Sequence, residues 1–141
     1  MGIFGKKEDV YRIIARFPGR VSLEDQVLVA LFEACKRHGM NLLREPQFDD
    51  LPGQIMVTAV FPGNVHGHLT WFINENDAML DFYRPINAEI SDSMMAEAMK
   101  DWLQTLNAMG IDLTFSAEKE GKRRYSMEKW DAVYPEHRSF M

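Results

Sequence analysis

The segment that most restricts this chain is residues 68–83, HLTWFINENDAMLDFY. In steps of two, Leu69, Trp71 and Ile73 fall on one side, and His68, Thr70 and Phe72 on the other. After Asn74-Glu75-Asn76-Asp77 the alternation resumes, with Ala78, Leu80 and Phe82 opposite Met79, Asp81 and Tyr83. Two period-2 runs around a turn-forming tetrapeptide predict a β-hairpin. Its Leu69/Trp71/Ile73 side is apolar enough to floor a core.

Apolar side chains at Val10, Ile13, Ile14 and Phe17 have helical spacing, which predicts an amphipathic helix over 6–17 that stops at Pro18-Gly19. Ser22 followed by Glu24 and Asp25 caps a second helix. That helix runs through Leu23, Val27, Ala30, Leu31 and Ala34, and stops at Lys36-Arg37-His38-Gly39. Residues 41–48 read as a weak strand interrupted by Pro46, and 49–53 as a turn. Residues 54–61, QIMVTAVF, are β-branched and apolar, and read as a strand covered on both faces. Beyond the hairpin, Met95, Ala98, Met99, Trp102, Leu103, Leu106 and Met109 form the stripe of a third helix, capped near Ser91-Asp92-Ser93 and stopped by Gly110. Ile111, Leu113 and Phe115 alternate as a strand. Residues 118–122 read as a charged hairpin loop with a solvated Lys119, Lys122, Arg123, Arg124 cluster, and 123–127 as an edge strand.

The expected fold class is therefore α+β: a mainly antiparallel sheet of about five strands with helices packed on one face, in the order α-α-β-β-β-α-β-β. Residues 1–141 read as one domain, with an N-terminal helix and connector over 1–21, an α+β core over 22–127 and a tail over 128–141. The third helix should lie across the Trp71 side of the meander.

A net charge of −5 argues against nucleic acid as a partner, because phosphate contacts need a basic face. No apolar run reaches the ~20 residues that cross a bilayer, so no membrane partner is expected. The N-terminus lacks the apolar region of a secretory signal, and Lys6 stands where myristoylation wants Ser or Thr. A single cysteine, Cys35, rules out an internal disulfide and points to a reducing, cytoplasmic setting. Ten methionines are unusual for this length; they fill irregular cores or line adaptable binding surfaces.

Residues 35–40, CKRHGM, end one helix and lead into a strand. HLTWFINENDAMLDFYRPI, AEAMKDWLQTLNAMG and IDLTFSAEKEGKRRYSM follow in that order. Over about residues 22–127 this succession resembles the YbjN-type sensory-regulator domain, whose fold is that of type III secretion chaperones. The resemblance implies a non-enzymatic protein that binds other proteins, often as a dimer. The chain departs from it in its extra amphipathic segment before Ser22 and in lacking a clear closing helix after Met127.

Several residues could carry chemistry. His66 and His68 project from the same face of a strand and could hold zinc or copper with a third ligand such as His38; the plain alternative is a polar outer face. His68 with Thr70 looks like half of a two-histidine phosphoesterase site, for which His137 and Ser139 are the second candidates. Cys35 lies on its helix's inner stripe and reads as a buried apolar side chain. The carboxylate pairs Asp49/Asp50 and Glu75/Asp77 fit turn chemistry. No phosphate-binding loop, dinucleotide fingerprint or nucleophile elbow occurs.

The remaining signal is surplus apolar surface: Phe4, Tyr11 and Ile14 near the start, and Trp130, Tyr134 and Phe140 near the end. The expectation is a non-enzymatic binding module, chaperone- or adaptor-like, with no cofactor and no resident metal. Its partner would be a protein or a second copy of itself in a homodimer. The binding surface would use His68, Thr70, Phe72, Asp81 and Tyr83 with Trp130, Tyr134 and Phe140. Two alternatives stand beside it: an enzyme using His68 and Thr70, and a small phage or bacterial protein that inhibits a host factor or sequesters a ligand.

Overall fold

A computed structural model describes residues 8–120. Its six strands are β1 (Glu8–Arg16), β2 (Gln47–Leu51), β3 (Gln54–Phe61), β4 (Val65–Phe72), β5 (Asp77–Pro85) and β6 (Thr114–Glu120). They form one sheet in the order β2-β3-β4-β5-β1-β6, and every neighbouring pair is antiparallel. Helix α1 (Leu28–Arg37) follows a π-wound opening turn, Leu23–Val27, and helix α2 is Asp92–Ala108. The fold is α+β, as the order of patterns predicted.

Period-2 alternation divides the sheet into two unlike faces. Ile13, Val57, Leu69, Leu80, Phe82 and Phe115 are buried on one face and share a core cluster with Leu28 and Leu31 of α1 and Met99, Trp102 and Leu106 of α2. Each such side chain contributes roughly 1.5–3 kcal/mol on burial. Leu28, Leu31 and Phe32 of α1 sit over Val57, Leu69 and Phe82. The start of α2 is tied instead to the β1/β6 side, through Asp92 to Tyr11 and Lys119. The two helices are joined by Trp102, whose indole N–H donates to the carbonyl of Val27 at 3.1 Å, where the π-wound turn passes into α1. Trp71 lies on the same side, against Phe17 at 6.0 Å between ring centroids.

Several expectations need correction. Ile73, expected beside Leu69 and Trp71 on the core side, lies in the turn beyond β4 and is half exposed, and the strand expected over 41–48 begins only at Gln47. Residues 8–16 form a strand, not a helix: β1 pairs along all its nine residues with β5 and also carries β6 on its other edge. Ile13 and Ile14 then face opposite sides of the sheet, one buried and one half-buried. The helical spacing came from counting both. The described sheet accordingly has six strands rather than about five. Asp49 and Asp50 lie within strand β2, and the turn is confined to the residues around Gly53, where φ is +75°. Lys119 belongs to β6 and is buried, not part of a solvated tip. The expected edge strand over 123–127 and the tail lie outside the described residues. Among those described, no helix is long and apolar enough to cross a membrane.

Gly67 is a point of close approach in the core. A Cβ there would lie 2.8 Å from Phe82 Cε1 and 3.3 Å from Phe61 Cε2, beneath an aromatic pair 5.7 Å apart. Gly67→Ala should lower stability by about 1–3 kcal/mol through overpacking, read as a lower urea midpoint at unchanged slope.

Candidate functional site

The other face of the sheet carries neither described helix. Its residues line up in ranks, because directly opposed partners continue from strand to strand. One rank crosses all six strands: Gln47, Thr58, His68, Asp81, Arg12 and Glu118. On one side of it runs Val60, His66, Tyr83 and Val10. On the other runs Asp49, Met56, Thr70, Met79, Ile14 and Ser116. The face is thus a polar line between two ranks rich in apolar side chains. Val10, Ile14, Met56, Val60, Phe72, Met79 and Tyr83 are each half-buried there.

Arg12 Nε donates to Asp81 Oδ1 at 2.7 Å; the carboxylate side chain is 8% exposed and the guanidinium 41%. His68 Nδ1 lies 3.4 Å from Thr58 Oγ1, and its ring meets Tyr83 edge-on at 5.4 Å. Burial holds the His68 imidazole below its ordinary pKa of 6.5; His66 adds to that shift and Asp81 opposes it. The ring is therefore kept neutral in the folded protein.

His66, His68, Thr70, Phe72, Asp81 and Tyr83, all predicted from the sequence, share this face. His38 does not join them. It pairs with Asp101 of α2 at 3.0 Å, in the helix layer on the far side. Among the described residues no group of three or more His, Cys, Asp or Glu could hold a metal ion. His137, Ser139, Trp130, Tyr134 and Phe140 lie outside the described residues. Cys35 is fully buried, and burial first, then Asp101, pushes its thiol up to about 12, so it stays protonated at neutral pH.

A second polar cluster occupies one end of the helix-covered face. Arg84 Nη2 donates to Asp9 at 2.8 Å and Arg84 Nε to the Tyr11 hydroxyl at 3.1 Å. Tyr11 donates to Asp92 at 2.6 Å. Lys119 Nζ lies 2.8 Å from Asp92 and 3.5 Å from Asp9. Arg84 Nη1 also donates to the carbonyls of Pro85, Ile86 and Ile90. Two carboxylates thus balance two cations. Burial, then the Asp92 hydrogen bond, pushes the Tyr11 phenol well above its usual range. The cluster closes the β5–α2 connection over the sheet. It was not singled out from the sequence, yet a signal existed: Asp9, Arg84 and Lys119 all fall on the apolar phase of their strands.

Neither a family model nor a curated protein matches the sequence. Among solved structures, the chain is similar to the adenosylmethionine decarboxylase from Aquifex aeolicus, with a TM-score of 0.51 at 15% identity. The match covers 79% of this chain and 91% of that one. Likeness at that identity is likeness of fold.

Removing Arg84 would leave the buried Asp9 carboxylate with only its longer contact to Lys119 at 3.5 Å. Arg84→Met should cost about 3–5 kcal/mol in urea unfolding, whereas Arg16→Met, which breaks a largely exposed pair with Asp77, should cost no more than ~1 kcal/mol. His68 supplies a pH dependence. Its folded pKa is depressed, so the unfolded chain takes up the proton first as pH falls, and the contribution of His68 is full above pH 6.5 and lost below it. Between about pH 7 and about pH 5 the wild type should lose stability more steeply than His68→Gln.

Proposed function

We propose that this chain is a non-enzymatic protein-binding module, chaperone- or adaptor-like, and that the helix-free face of the sheet is its binding surface. The observation that carries this reading is the composition of that face. Seven apolar or aromatic side chains, Val10, Ile14, Met56, Val60, Phe72, Met79 and Tyr83, lie half-buried on a surface that no described helix covers. Antiparallel sheets with one solvated face alternate apolar-in with polar-out. Here only the rank through His68, Asp81 and Arg12 keeps that rule, and its neighbours break it. Apolar surface grouped in this way, in two ranks on either side of a polar line, fits an interaction site, and Met and aromatic side chains are enriched at interface cores.

The chemistry of the face suits binding better than turnover. His68 is flanked by Thr58, Tyr83 and Asp81 on the sheet face, and Asp81 is already engaged by Arg12. The resemblance to YbjN-type domains leads to the same class of function.

Phe72→Glu and Met79→Glu each place a carboxylate on this face without touching the core side. Compared with wild type, each should weaken self-association, or capture of a protein partner on an affinity column, by at least about tenfold, which corresponds to ~1.4 kcal/mol. Unchanged association state and unchanged capture in both variants, with unchanged thermal unfolding, would contradict the proposal.

A further inference from the structure

We infer that the occupant of the open face is a second copy of this chain, related by a two-fold axis that runs along the strands midway between β1 and β5. The inference rests on the assignment of that face as the binding surface, and it deepens that assignment by naming the partner.

The argument is one of charge and register. Such an axis lays β1 of one copy over β5 of the other, and β6 over β4. Each residue then meets the counterpart of its own cross-strand neighbour. Arg12 faces Asp81 of the partner subunit, and Arg16 faces Asp77 of the partner subunit. Glu118 faces His68 of the partner subunit, because both stand in the central rank. Apolar groups also meet apolar groups: Ile14 lies over Met79 of the partner subunit, and Val10 over Tyr83 of the partner subunit. Across β4-β5-β1-β6, four of the six strands, the face is complementary to itself under this rotation, as an isologous interface requires.

Other ways of joining two copies fare worse. An axis across the strands along the central rank would lay Asp81 on Asp81 and Arg12 on Arg12. Edge-to-edge pairing through β2 would centre on Asp49, so that like charges stand opposite each other in the ladder. The overlap spans four strands; at ~4.8 Å spacing and about seven residues at ~3.4 Å it covers on the order of 450 Å², below the ~800 Å² per partner of a standard interface and of the size of a weak, reversible one. Twisted sheets pack face to face at about −30°, which keeps the ranks nearest the axis in register.

Two pairs of variants test the geometry on the full chain by size-exclusion chromatography with light scattering. In Arg12→Asp the two facing positions are both acidic, and in Asp81→Arg both are basic; each alone should run as a single chain, while wild type runs at twice its 16.3 kDa. An equimolar mixture of the two should return to the doubled mass, since the axis brings the new acid of one copy over the new base of the other. Ile14→Glu and Met79→Lys repeat the design without disturbing the Arg12–Asp81 ion pair, and they decide the matter if the first pair fails to fold. A wild type that runs as one chain overturns the inference, as do single variants that stay dimeric or mixtures that stay monomeric. A wild type that runs as one chain yet loses a captured partner on Phe72→Glu would leave the binding-surface assignment standing without the two-fold. Insensitivity to Phe72→Glu and Met79→Glu in both association and capture would remove the assignment itself.

Discussion

Everything in this structure depends on the antiparallel register of six strands staying in phase. Because the side-chain period in a strand is two, a slip of one residue in any strand would move its apolar set to the opposite face. Here the phase holds from β2 to β6, so Val57, Leu69, Leu80, Ile13 and Ala117 stand in one buried rank under the helices. The same constraint produces the ranks on the open face. A face that carries so many half-buried Val, Ile, Met and aromatic side chains is then a consequence of that register, and the interface we propose there would draw on the hydrophobic effect.

The helix layer is fixed at two points of different kinds. One is the indole of Trp102 on the Val27 carbonyl, which joins α2 to the irregular start of α1. The other is the ion cluster at the start of α2. Ser91 caps that helix by accepting from the Met94 N–H at 3.2 Å, and the next residue, Asp92, reaches Tyr11 and Lys119 on β1 and β6. Arg84 gathers the connecting loop's carbonyls and Asp9 around itself. Buried ion pairs of this kind contribute less to stability than to uniqueness of the arrangement, because their desolvation cost offsets much of the Coulombic gain. In this fold they specify where α2 begins.

How legible this was in the sequence varied with locality. The hairpin over 68–83 was readable because its strands alternate cleanly and are joined by a short turn; Leu69 and Trp71 face the core as the alternation implied, whereas Ile73 falls in the turn and is 50% exposed. Both helices were readable from cap chemistry and from broad apolar stripes. Strand β1 was not. In residues 8–16 its core-facing positions are Asp9, Tyr11, Ile13 and Ala15, two of them polar-tipped and engaged in the ion cluster, while Val10 and Ile14 occupy the open face. That distribution hides period two and mimics a helix. Its placement between β5 and β6 also rests on pairings across the whole chain, which no local pattern records. The proposed face was legible only in part: His68, Asp81 and Tyr83 belong to the readable hairpin, whereas Arg12, Ile14 and Glu118, which complete the ranks, belong to strands set beside it by tertiary pairing.

The central claim is that the open face is covered by a second molecule of the same chain. Hydroxyl-radical footprinting of the methionines, followed by mass spectrometry across a wide range of protein concentration, tests it most directly. Met56 and Met79 lie on that face, and Met109, 44% exposed at the end of α2, serves as an internal reference. The account predicts that oxidation of Met56 and Met79 falls as concentration rises, while that of Met109 stays constant. Oxidation of all three that is independent of concentration, in a chain that remains at single mass, would contradict it.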